Sequence, residues 1–170
     1  MTKPTQPFRR VHYFAGMQLT AEDLAQEQQY HSGKRRLQNR LLLGMGIATG
    51  LESRWSKRQG LILEPGVAID CMGREIVVPE RQHISVPHRK GRFYLGITAT
   101  ERGVMPIPVP GSEDVIPSMI EESFELSLLD DTPCEGHRAR PDGRWACCGG
   151  DHPVYLARLR WQKERLRVRP

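Results

Sequence analysis

Apolar and polar residues alternate in two different rhythms along this chain. Residues 20–40, TAEDLAQEQQYHSGKRRLQNR, carry the signs of one helix. Thr20 stands at the N-cap position and Asp23 three residues on, an acidic variant of the capping box, while Leu19 and Leu24 have the spacing of a hydrophobic staple. Glu22, Asp23 and Glu27 fill the start, and Lys34, Arg35, Arg36 and Arg40 fill the end, as the helix dipole favours. Gly33 in the interior costs about 1 kcal/mol relative to alanine, which marks a bend or a close contact. The apolar stripe is thin: Leu24, Ala25, Gln28, His31, Leu37 and Leu41 run along one side, and Gln28 and His31 interrupt it with polar side chains. A helix this polar either lies on a sheet by its leucines or packs against another chain.

From about residue 51 the rhythm changes to short runs of period two, the signature of strands. Expected strands are Leu51–Trp55, Leu61–Leu63, Val67–Asp70, Glu75–Val78, Ile84–Val86, Arg92–Ala99, Phe124–Leu129 and Val154–Trp161, with Leu166–Val168 closing a last hairpin. Cys71-Met72-Gly73-Arg74 reads as a turn in which glycine supplies a positive φ. Gly44, Gly46 and Gly50 punctuate the entry into the first strand. Two stretches read as long loops: 103–118, with Pro106, Pro108, Pro110 and Pro117 favouring polyproline geometry, and 130–151, which is polar and without period. Short strands in succession, one N-terminal helix and no βαβ alternation predict a mainly β fold, an antiparallel β-sandwich or barrel. The expected division is an N-terminal arm and docking helix over 1–50 and a β-sandwich domain over 51–170.

Composition narrows the function classes. The chain has 170 residues, 38% of them hydrophobic, enough for a core without metal or disulfide staples. No apolar run reaches membrane-spanning length, and no apolar stretch of signal-peptide type follows the charged start, so membrane insertion and ordinary secretion are not expected. The net charge is +5, and the excess is concentrated near the end, where Arg158, Arg160, Lys163, Arg165, Arg167 and Arg169 stand against Glu164. That end is either a solvated strand face or a surface for an acidic partner or nucleic acid. No nucleic-acid-binding motif accompanies it, and a 6% aromatic share is too low for a base-stacking platform.

Chemistry-bearing constellations are few. Cys134, His137, Cys147 and His152, with Cys148 beside them, have the ligand types of a zinc site but irregular spacing, so no cofactor is expected and structural zinc is the minor alternative. Cys71 is the fourth cysteine. There is no nucleophile elbow, no HExxH and no phosphate-binding loop. Glu121-Glu122 and Asp130-Asp131 are adjacent acids, which in a strand point to opposite faces. The expectation is a protein without catalysis. Its alternatives are a small Cys/His metal-binding enzyme or a basic polyanion-binding module.

One region is distinctive. Tyr13-Phe14-Ala15-Gly16-Met17-Gln18-Leu19-Thr20 leads into the helix with Glu27-Gln28 and Tyr30-His31. Asn39-Arg40-Leu41, Gly44, Gly46-Ile47 and Gly50-Leu51 follow, then Gly66-Val67-Ala68-Ile69-Asp70 and Gly73-Arg74-Glu75-Ile76 with Pro79. This resembles small proteins of extracellular contractile injection systems and related phage-tail-like particles, over most of the chain and most strongly over residues 11–79. Over that part it also looks like the start of the type VI secretion baseplate adaptor (TssK), whose further domains the chain has no room for. The resemblance implies a shoulder-type domain: an oligomeric structural adaptor that binds baseplate or sheath-associated proteins, assembled in the cytoplasm in a particle that can be released. The partner-binding candidates on the helix are Leu24, Gln28, Tyr30, His31, Arg36 and Arg40.

Overall fold

A computed structural model describes residues 7–88, 90–130 and 152–170. The capping residues start the helix where the sequence places them. Helix α1 spans Ala21–Gln38; the Thr20 hydroxyl accepts the Asp23 N–H at 3.2 Å, and the Asp23 carboxylate accepts the Thr20 N–H at 3.0 Å. At Asn39–Leu43 the helix widens into one π-helical turn, and Gly44 ends it at φ 78°. The helix runs unbroken through Gly33. The Phe8 ring lies so close that a Cβ there would stand 3.1 Å from it, which is the close-contact alternative.

The remaining elements are strands: β1 Gly46–Gly50, β2 Ser53–Ser56, β3 Gly60–Leu63, β4 Gly66–Ile69, β5 Glu75–Val78, β6 Gln82–Ile84, β7 Arg92–Pro108, β8 Val115–Leu129, β9 Val154–Gln162 and β10 Arg165–Arg169. All pairings are antiparallel, in the orders β1-β4-β5, β2-β3-β6 and β10-β9-β7-β8. The chain is mainly β with one N-terminal helix, and one sheet curls into a half-barrel. Beside it, β2 runs past β10 without hydrogen bonds between them; Trp55 and Trp161 meet there edge to face, ring centres 6.0 Å apart.

Two expectations need correction. The glycine-punctuated segment before residue 51 is itself strand β1, paired with β4, so the β body begins at Gly46 rather than at 51. Leu51 is not a strand residue: it turns the chain at φ 61° with its side chain buried. The stretch 103–118 is not a loop. β7 and β8 stay paired from Tyr94–Leu129 out to Pro108–Val115, and only 109–114 forms the turn. Prolines hid this strand pair. A two-stranded ribbon has only edge strands, where a residue without an N–H can face solvent at no cost to the ladder. Of the loop expected at 130–151, only Asp130 is among the described residues.

The core draws on all three sheets. Leu51, Leu61 and Leu63 meet Ala68, Ile76 and Val78 from β4–β5, and Phe93, Leu95, Ile97, Leu156, Leu159 and Leu166 from the four-stranded sheet. Along β7 the buried residues Phe93, Leu95 and Ile97 alternate with outward-facing Arg92 and Tyr94, the period two that patterned this strand in the sequence. Buried Asp70 organises the β4–β5 turn. Its Oδ1 accepts the N–H groups of Met72 and Arg74 at 2.9 and 2.8 Å, and its Oδ2 accepts from the Arg74 guanidinium.

Candidate interaction surface

Among the described residues, two projections leave this body. The first is α1 with the segment before it. No residue of α1 is buried. Its hydrogen bonds and ion pairs to the β body come from Arg35, Arg36 and the residue that follows the helix, Asn39. Asn39 is buried, and its Nδ2 donates to the Gly73 carbonyl at 3.0 Å and to Glu75 at 3.1 Å. Arg35 reaches Glu75 at 3.2 Å and Glu122 at 3.9 Å, and Arg36 reaches Glu101 at 3.5 Å. Gly73, at φ 81°, packs directly on the Arg36 carbonyl, leaving no room for a side chain. The helix is thus fastened by polar contacts at one end, as its lack of an apolar stripe requires.

The second projection is the outer part of the β7–β8 hairpin. β9 pairs with β7 over Arg92–Ile97; Ala99 and Phe124 still pack on the core and Glu101 and Glu122 still meet the helix arginines, and past that level the two strands run out as a ribbon. Arg102 and Glu121 form an ion pair across the ribbon at 2.9 Å. Between 103 and 120 every residue except Val104 and Val109 is exposed. The ribbon kinks at Met105, whose φ is 52°, and the Pro117 ring fills the space where a Gly103 side chain would stand.

Most of the large apolar side chains that the described residues expose lie on these two projections. The hairpin exposes Met105, Ile107, Val115, Ile116, Met119 and Ile120, with Met105 63% and Ile120 62% accessible. The helix end exposes Leu41, Leu42 and Leu43 in succession, Leu42 at 73%. Three consecutive leucines on a helical turn point about 100° apart, so they cannot share one core-facing stripe. Phe8, Tyr13, Phe14, Leu19 and Leu24 add to the first projection, whereas among the described residues of the body the exposed large apolar ones are Ile47, Met72 and Val77. Single exposed leucines are ordinary, whereas large exposed apolar patches occur at sites of contact with proteins, membranes or ligands.

The helix residues singled out from sequence fall into different settings. Leu24 and Gln28 are exposed. His31 is exposed and lies 3.0 Å from Glu27. Tyr30 packs edge-on against Phe8, ring centres 6.3 Å apart, with the Lys34 ammonium near both rings. Arg36 is drawn into the anchor to the body, so it is not a purely outward-facing residue. Arg40 is half-buried at the π-turn. Glu121 and Glu122 do point apart, the first to Arg102 and the second toward Arg35.

Cys134, His137, Cys147 and Cys148 lie outside the described residues; His152 is described, with its Nδ1 3.2 Å from the Pro153 carbonyl oxygen. Among the described residues no group of three His, Cys, Asp or Glu side chains converges on a point. Nor is any described helix long and apolar enough to cross a membrane. The hairpin residues escaped the sequence reading, although VMPIP and VIPSMI keep an apolar content unusual for a loop. No protein-family model matches the chain, and a search of curated proteins finds no similar sequence.

Proposed function

We propose that the protein is a non-catalytic structural adaptor of a contractile, phage-tail-like particle, with its helix and its β-hairpin inserted between neighbouring subunits. The apolar surface that the described residues expose, most of it on the two projections, carries this proposal, because a monomeric soluble protein rarely exposes large apolar patches. The resemblance over residues 11–79 supplies the kind of assembly. The proposed partners are baseplate or sheath-associated proteins and further copies of the chain. Assembly takes place in the cytoplasm, and no metal or cofactor takes part.

The test is a variant in which residues 104–119 are replaced by Asn-Gly, joining Gly103 to the residue opposite it, Ile120, through a two-residue hairpin turn. The β body keeps its core, so circular dichroism and the thermal midpoint stay close to those of the parent. Electron microscopy of cells producing the variant in place of the parent should show no complete particles. A folded variant that supports particles at the parent yield overturns the proposal.

A further inference from the structure

Arginines occupy the outer face of β10, β9 and β7 in rows. The strand register places Arg92 beside Arg160 and Arg160 beside Arg167, and in the next row Tyr94 beside Arg158 and Arg158 beside Arg169; Arg165 stands opposite Gln162. All six arginines are exposed, and their neighbours in sequence, Phe93, Leu159 and Leu166, face the core. None of the six makes an ion pair or a side-chain hydrogen bond with a described residue. A groove of about 240 Å³ runs between Arg92, Arg158, Arg160, Arg167 and Arg169. Like charges directly opposite on paired strands are destabilising, and here they recur in two successive rows without a counter-charge among the described residues. Folding alone does not account for such an arrangement.

We propose that this face docks an extended acidic segment of a partner protein. Three observations favour a peptide. Arg158 and Arg160, like Arg167 and Arg169, are two residues apart on one strand, a separation of about 6.8 Å. An extended peptide with acids at every second position repeats at the same spacing, so its carboxylates fall on successive rows. The bases are arginines throughout, and a guanidinium grips a carboxylate through two parallel hydrogen bonds. Tyr94 and Tyr155, the described aromatic rings there, are half-buried and packed edge-on against each other at 5.3 Å, which leaves the bases of a nucleic acid little ring surface to stack on. Arg92 begins β7 at the end opposite the hairpin projection, so this inference does not rest on the assembly proposal.

The test uses the full chain and three fluorescent probes of equal charge in an anisotropy titration at low and moderate salt. They are a peptide alternating Glu and Thr, its isomer with all glutamates consecutive, and a single-stranded oligothymidylate. The alternating peptide should bind most tightly, and R160Q/R167Q should weaken it at least tenfold, as should R158Q/R169Q in the other row. R81Q, whose arginine pairs with Glu64 elsewhere, should leave binding unchanged. Because each double variant removes facing like charges, its thermal midpoint should equal or exceed the parent's. Tighter binding of the oligothymidylate would make the face a nucleic-acid surface. Equal binding of the two peptides, no binding of any probe, or binding indifferent to both double variants would overturn the proposal.

Discussion

Thr20 and Asn39 hold the two ends of α1 by different means, and their substitutions separate. Thr20 acts locally, through the reciprocal pair with Asp23. Thr20→Ala removes the acceptor for an otherwise unpaired N–H and should cost the helix about 0.5–2 kcal/mol. Because α1 meets the body only near its end, the loss should register as faster amide exchange at Ala21–Leu24, with the thermal midpoint of the body unchanged. Asn39 acts at a distance. It is buried, and its side chain bridges the helix end to Gly73 and Glu75, more than thirty residues away. Asn39→Ala leaves the Gly73 carbonyl without this donor and should cost about 1–3 kcal/mol. Amide protection along the whole of α1 should then fall while that of β7 and β9 persists. The cap was legible in the sequence because its four residues contain the whole interaction. Asn39 was not, since nothing local tells a buried asparagine from a solvated one.

At the scale of elements, the difference between a legible strand and a hidden one lies in what the strand packs against. β7 from Arg92 to Ile97 buries alternate residues in the core and shows it as period two. Beyond Thr100 its continuation to Pro108 is exposed except at Val104, so no burial enforces an alternation, and its prolines imitate a loop. The arginine rows were half legible in the same way. Arg158 and Arg160 alternate visibly with Leu159, but Arg92 joins them only through a pairing partner more than sixty residues away. The hairpin's shape depends on Gly103, whose missing side chain admits the Pro117 ring. Gly103→Val should therefore part the strands beyond this point, since neither the ring nor the facing backbone can yield. Hydrogen exchange should show protection lost across residues 103–120 and kept at Tyr94–Thr98, where β9 or the core supports the strand. Unchanged protection in the outer ribbon would mean that its pairing does not depend on this contact.

At the scale of the whole molecule, the described residues divide into a body with one shared core and two projections that contribute little to it. Phe93 is fully buried at the centre of the four-stranded sheet, with Leu159 beside it on β9. A phenylalanine truncated in such a site costs about 3–5 kcal/mol through lost transfer energy and the cavity left behind. That is a large part of the 5–15 kcal/mol that holds a typical domain together. Because β3, β4, β5, β7, β9 and β10 all send side chains to the same cluster, Phe93→Ala should lower the stability of all three sheets together, as a single unfolding transition. Leu159→Ala should act on the same transition. The double variant should depart from additivity by about 0.5–3 kcal/mol, because the two cavities merge. Denaturant unfolding followed by tryptophan fluorescence and by far-ultraviolet circular dichroism checks this, Trp55 and Trp161 reporting on the side where β2 passes β10. Coincident curves are expected for the parent and for both single variants. Two separated transitions would show that the sheets have independent cores, and the distinction between one body and its attached projections would fail.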